Sequence, residues 1–181
     1  ALVNRIDRNT GGIVIAAKNA DSLRILNAKM KTRELEKYYL CLLYGKPNRD
    51  SDTLHGYMTK NESKNKVTVF KNEVEGSKEI KTKYEILDFN GKFSLAEVEL
   101  LTGRTHQIRA HMASIGHPLV GDTKYGKGKK APDIIKYQAL YSYKLKFNFE
   151  TDAGILDYLN GKEFKVNDVW FAKNGKINLS K

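Results

Sequence analysis

From Lys78 to Phe89 apolar and β-branched side chains recur at every second residue (Ile80, Thr82, Tyr84, Ile86). Asn90-Gly91 interrupts them, and Phe93 to Leu101 resumes with Ala96, Val98 and Leu100 on one face. A period of two sends successive side chains to opposite faces of a strand, and Asn-Gly is the pair that readily takes the positive φ of a tight hairpin turn. A lone hairpin is marginal in water, so the chain must supply more sheet. Candidates are Ile13–Ala17 behind a double glycine, Lys37–Tyr44 closed by Gly45-Lys46-Pro47, Lys66–Phe70, and a long strand over Tyr137–Phe149 with an aromatic face. Residues 48–65 are polar and read as loop, apart from a short strand around Leu54–Met58. A helix is expected from Asn19-Ala20-Asp21 to Thr32 or Arg33, with Leu23, Leu26 and Met30 inward and its Lys and Arg outward. A second runs over His106–Ile115, with Ile108, Met112 and Ile115 on one face, Thr105 as N-cap, and Gly116 with Pro118 closing it. A Gly- and Lys-rich exposed loop over 121–136 and a short helix near Ile155–Leu159 complete the pattern. Strands outnumber helices, so the expected fold is α+β, a mixed and mainly antiparallel sheet with flanking helices.

Composition narrows the function. A chain of 181 residues suits one domain with a real core, and none of its apolar runs approaches the ~20 residues that span a bilayer. The single Cys41 has no partner for an intrachain disulfide and no companions for a thiolate zinc cluster. His106, His111 and His117 have mixed spacing without acidic neighbours, so no metal is expected. Lys and Arg number 32 against 21 acids, a net +11. Such a balance meets a polyanion, and without a basic amphipathic helix for a membrane surface the partner is nucleic acid. A cytoplasmic monomer is the expectation.

Three stretches carry chemistry. Asn4-Arg5-Ile6-Asp7-Arg8-Asn9-Thr10-Gly11-Gly12 places a carboxylate between two arginines at the mouth of a strand. Tyr38-Tyr39 enter another strand, and Gly103-Arg104-Thr105-His106-Gln107-Ile108-Arg109 opens a helix. Taken singly, each also has a plain reading: a surface ion pair, one core ring and one outer ring, a solvated helix start.

Taken in order, they resemble the RluA-type pseudouridine synthases of ribosomal and transfer RNA. The family motif His-Arg-Leu-Asp-x-x-Thr-Ser-Gly-Leu is matched by Asn4 to Ile13, Lys-x-Tyr by Lys37-Tyr38-Tyr39, and Thr-Gly-Arg-x-His-Gln-[Ile/Leu]-Arg-x-His by Thr102 to His111. Gly116-His117-Pro118 and Gly121-Asp122 follow as in the family. Asn4 stands where the family has His, and Gly11 where it has Ser. Family members also carry strands before the Asp motif and often a small RNA-binding domain. On that comparison residues 1–181 read as the C-terminal portion of a catalytic domain.

The resemblance implies isomerisation of uridine to pseudouridine in structured RNA, with large-subunit ribosomal RNA preferred and no metal or cofactor. Asp7 is implied as the catalytic carboxylate and Arg109 as its counter-charge. Tyr39 would stack on the target uracil and join in proton removal at carbon 5. Arg5 would enter the stack behind the extruded base, Arg104 would support its loop or contact phosphate, and Ile108 would line the pocket. The competing classes are a noncatalytic RNA-binding paralogue and, further off, an Asp-nucleophile hydrolase.

Overall fold

A computed structural model describes residues 1–180. Its elements in chain order are β1 (Gly11–Gly12), α1 (Ala20–Lys31), β2 (Leu35–Tyr44), β3 (Ser51–Asn61), β4 (Lys66–Phe70), β5 (Lys78–Phe89), β6 (Phe93–Leu100), α2 (Gln107–Ser114), β7 (Leu140–Phe147), a 3-10 helix (Gly154–Leu159), β8 (Glu163–Lys165), β9 (Ala172–Lys173) and β10 (Lys176–Ile177). One sheet runs β1-β7-β2-β6-β5-β3-β4, with β8 on β7 and a separate β9–β10 pair. Its pairings are antiparallel except β1 with β7, the mixed, mainly antiparallel architecture that the alternation predicts.

The hairpin β5–β6 turns at Gly91, φ 90°, while Asn90 Oδ1 accepts the Lys92 and Phe93 N–H groups at 3.0 and 2.8 Å. Both faces of the central strands are covered. On β2, Tyr39, Cys41 and Leu43 pack with Ala96, Val98, Ile108 and Met112 under α2. Leu40 and Leu42 face the other way, against Leu95, Val120, Phe171 and Ala172. One strand thus serves two cores, which is why residues 35–44 read as a nearly continuous apolar run.

Several boundaries differ from the sequence expectation. β3 is eleven residues long, through a stretch expected to be mostly loop; its pairing with β5 and β4 holds a polar sequence extended. The opening strand shrinks to Gly11–Gly12, with only an isolated Leu2–Ala16 bridge beyond it. β7 starts at Leu140 rather than Tyr137. On α1, Asn19 caps as expected, accepting the Ser22 N–H at 2.8 Å, but Lys29 points inward. It is 2% exposed and its Nζ bonds Glu34 Oε2 at 2.7 Å and Thr151 Oγ1 at 2.7 Å. The capping residue of α2 is His106, in a left-handed conformation (φ 52°) without a side-chain cap, so Thr105 does not play that part. Ile115 lies past the helix and is exposed, whereas Gln107 to Met112 are buried almost all round. The last turn closes at Gly116, φ 87°, as foreseen.

Candidate active site

Asp7 leads into a tight turn. The Thr10 N–H donates to the Asp7 carbonyl at 3.0 Å, and Asn9 takes φ 67°, a conformation that Asn tolerates better than most residues. Gln138, buried just ahead of β7, ties the turn down: its Nε2 donates to the Arg8 carbonyl at 2.7 Å and to Thr10 Oγ1 at 3.2 Å. Beyond the turn the backbone is pressed onto β7, where a Cβ on Gly12 would overlap the Ser142 main chain. At Gly11 the Tyr141 ring lies 2.7 Å from where a Cβ would stand, so a larger residue there would need that ring to shift. Asn4 is buried with Oδ1 on the Ile15 N–H at 2.8 Å, while its Nδ2 has no partner among the described residues.

A second clamp aims the α2 entrance. Gln107 Nε2 donates to the Lys81 carbonyl and to Thr82 Oγ1, both at 3.0 Å. Its Oε1 accepts the Thr102 hydroxyl at 2.8 Å and the Arg104 N–H at 3.1 Å. The amide is saturated, so the turn after β6 is bolted to β5 and the first turn of α2 has one orientation. Two residues later, Arg109 projects toward the Asp7 loop.

Arg109 is the electrostatic centre, yet Asp7 is not its main partner. Arg109 Nε and Nη2 reach the two carboxylate oxygens of Asp122 at 2.7 and 3.1 Å, a fork-to-fork pair. Asp7 Oδ2 stands 3.5 Å from Arg109 Nη1. The Asp122 side chain is 0% exposed and that of Asp7 is 23% exposed. Asp122 therefore satisfies the buried guanidinium, and Asp7 is the carboxylate left open. Asp122 Oδ1 also accepts the Lys124 and Tyr125 N–H groups, and the Tyr125 ring lies 5.2 Å under the guanidinium. Burial opposes the Arg109 charge, but Asp122, then Asp7, outweigh it and its pKa rises above the ordinary value. Tyr125 Oη holds the Val67 N–H at 3.1 Å and pairs with His106 Nδ1 at 2.7 Å. Burial lowers the His106 pKa, and the Asp7 charge pulls the other way.

Across from this pair stands Tyr39, in one cluster with Ile108, Met112 and the partly buried Ile6. Burial pushes the Tyr39 phenol up to about 12; the Ser142 side chain opposes this and the Asp7 charge adds to it. Tyr38 turns to the opposite face, where Lys144 Nζ sits 4.4 Å from its ring centroid. Asp7 and Arg109 thus meet directly, and Tyr39 and Ile108 share a cluster within range of the Asp7 charge. Arg5 and Arg104 stand exposed around them. Asp122, Gln138, Tyr125 and Gln107 have structural parts that sequence reasoning did not assign. Gly121-Asp122 and Gln107 were visible within the motif, while Gln138 and Tyr125 carry no local signal.

The 121–136 segment is only partly an exposed loop, because Asp122, Tyr125 and Ile135 are buried. Beside it, between β4 and α2, runs an open groove of about 310 Å³ lined by Lys66, Lys124, Lys127, Thr68, Ser114 and Tyr125. Among the described residues no group of three or more His, Cys, Asp and Glu side chains comes together as a metal site, and no helix is long and apolar enough to cross a membrane.

Residues 1–114, which hold all three motifs, match the family model described as RNA pseudouridylate synthase. The chain belongs to that family. It is 32% identical over 179 residues to an uncharacterized RNA pseudouridine synthase of Mycoplasma pneumoniae, covering 98% of this chain and 56% of that protein. It is 37% identical over 125 residues to the ribosomal large subunit pseudouridine synthase C of Vibrio cholerae, covering 69% of this chain and 38% of that one. The chain thus spans about half or less of these relatives. Among solved structures, the human RNA pseudouridylate synthase domain containing 1 superposes with a TM-score of 0.74 at 24% identity, over 94% of this chain and 69% of that one. That likeness bears on the fold, and it agrees with the mixed, mainly antiparallel sheet.

Proposed function

We propose that this chain converts uridine to pseudouridine in structured RNA, with Asp7 as the reacting carboxylate. The observation that carries the reading is the division of labour at Arg109: Asp122 neutralises the buried guanidinium, while Asp7 is held 3.5 Å away and open to solvent. The open side of that carboxylate is where a ribose or a uracil ring would sit. The reaction breaks the bond between C1′ and N1, turns the base, joins C1′ to C5, moves the C5 proton off and leaves a proton on N1. No atom or electron is gained overall.

Tyr39 and Ile108 supply the walls for a flat base. The Tyr39 phenol, pushed up to about 12, is uncharged at neutral pH and enters as a stacking surface and hydrogen-bond donor. It can relay the C5 proton only by passing its own proton on. Tyr39→Phe separates these parts: uridine binding is retained, and turnover falls by about 10²-fold or more.

A stacked uridine must be extruded, at a cost of a few kcal/mol. Arg5, exposed and two residues from Asp7, has the reach to fill the vacated space. The groove lysines Lys66, Lys124 and Lys127 hold the flanking backbone by its phosphates. Large-subunit ribosomal RNA is the preferred substrate, in keeping with the named activity of the Vibrio cholerae relative. The deciding experiment is tritium release from RNA labelled at C5 of uridine. The parent chain should release tritium, and Asp7→Asn should release none while still binding RNA. Residual release by Asp7→Asn removes Asp7 from the chemistry. RNA binding without any pseudouridine in a single turnover would leave a noncatalytic RNA-binding protein.

A further inference from the structure

Lys37 occupies the same face of β2 as Tyr39, two residues away, opposite Leu145 of β7. Its stem is half-buried, and burial pushes its ammonium below the ordinary lysine range. None of the hydrogen bonds or ion pairs among the described residues involves its side chain, and each nearby acid on these strands is engaged elsewhere or lies on the far face. Glu34 holds Lys29. Glu36 takes the Tyr38 hydroxyl on the far face, and Glu97 takes Tyr143 and Lys144. Glu99 lies opposite Tyr38, also on the far face.

The contrast with Lys29 is informative. Where this fold buries a lysine for structural reasons, a carboxylate and a threonine satisfy it. Lys37 Nζ is left without a partner, yet it is not among the fully enclosed unpaired atoms, so it opens at the rim of the face. Above it passes Gly103, where an added Cβ would lie 3.1 Å from Lys37 Nζ and meet no other atom within 4 Å. The exposed Arg104 follows in the chain. A compact, strongly hydrated ammonium held part-way out of water, with no anion of its own, suits one oxygen-rich anion arriving from outside.

We propose that Lys37 is a phosphate-binding residue, taking a backbone phosphate of the RNA whose uridine lies against Tyr39. A larger residue at 103 would press on that ammonium. The inference rests on RNA being the substrate class of this site.

The test measures RNA affinity against salt for the full chain, using a structured uridine-containing stem-loop. Lys37→Met keeps the stem and removes the charge; it should weaken binding about tenfold and lower the magnitude of the slope of log K against log salt by about 0.9. Gly103→Ala presses a methyl to 3.1 Å of the ammonium without removing its charge; it should weaken binding less than Lys37→Met and keep the salt slope near the parent value, and the double variant should be no worse than Lys37→Met alone. A merely structural role for Lys37 would leave the salt slope at the parent value, and that result overturns the proposal, as does additivity of the two substitutions. Pseudouridine formation with an unchanged slope removes Lys37 alone. RNA binding that depends on Lys37 without any pseudouridine supports Lys37 and overturns the activity. Absence of RNA binding by the parent overturns both.

Discussion

Arg109 shows how one residue can belong to two systems. Its fork is filled by Asp122, and the remaining Nη1 is what Asp7 meets. Asp122→Ala would leave a buried guanidinium with only the half-open Asp7 as counter-charge. Breaking such a pair costs about 3–5 kcal/mol, so the urea midpoint should fall steeply and Asp7 should be drawn inward, with activity lost. Asp7→Asn removes the looser partner and should leave the midpoint nearly unchanged. His111 gives a pH signature of its own. Its Nδ1 bonds Thr82 Oγ1 at 2.8 Å, and burial, helped by the His55 charge, pushes its pKa down to about 4. Between that value and the ordinary one near 6.5 the unfolded chain holds a proton the folded chain lacks. Stability therefore falls as pH drops through this window, by up to about 1.4 kcal/mol per pH unit, and levels off below it. His111→Asn should remove that part of the slope in urea titrations compared from pH 7 to pH 4.

At the scale of elements, the site is a meeting of three main-chain turns held by buried amides and glycines. Two glycines with positive φ separate local from tertiary strain. Nothing lies within 4 Å of a Cβ on Gly91, so Gly91→Ala carries only the backbone penalty, about 1–2 kcal/mol. Gly12 carries the same kind of φ, 117°, but its added Cβ would overlap Ser142 of β7. Gly12→Ala should unseat β1 and displace Asp7, with a larger loss of stability and of turnover than at Gly91. Denaturation midpoints and tritium release, measured on both variants, test the ranking. The pair Lys29–Glu34 anchors the other end of β2: Lys29 and Thr32 hold the Glu34 carboxyl well below the usual range, against the opposing effect of burial. That contribution is full at neutral pH, declines as pH falls below the ordinary value of 4.5 and is gone only in strong acid.

For the molecule as a whole, the proposed function makes the excess of cations the determinant of behaviour toward RNA. With a net +11, RNA affinity should fall steeply with salt, because each neutralised phosphate releases counterions. The groove between β4 and α2 concentrates this charge in Lys66, Lys124 and Lys127. Lys66→Glu with Lys127→Glu should lower the magnitude of the salt slope by about 2 and weaken binding to all RNA sequences alike. The same change at Lys18 and Lys31, exposed near and on α1, should have a smaller effect. Equal losses from both pairs would mean that the charge acts only as a diffuse field.

The sequence by itself determined what is local or periodic. Alternation and Asn90-Gly91 specified the β5–β6 hairpin, and Asn19 specified the start of α1. These signals lie within a few residues, where backbone geometry and side-chain period act directly. Asp7, Tyr39, Ile108 and Arg109 were pointed to as a candidate site only through the motif resemblance. The tertiary structure decided the rest. β3 extends through polar residues because two neighbours supply its hydrogen bonds. Lys29 turned inward because Glu34 and Thr151, 122 residues from it in the second case, wait there. His106 rather than Thr105 begins α2 because the Gln107 clamp and Tyr125 fix the turn. Above all, Arg109 has Asp122 as its principal partner and Asp7 as its open one. That allocation depends on distances across three separate loops, which residue type and spacing do not encode.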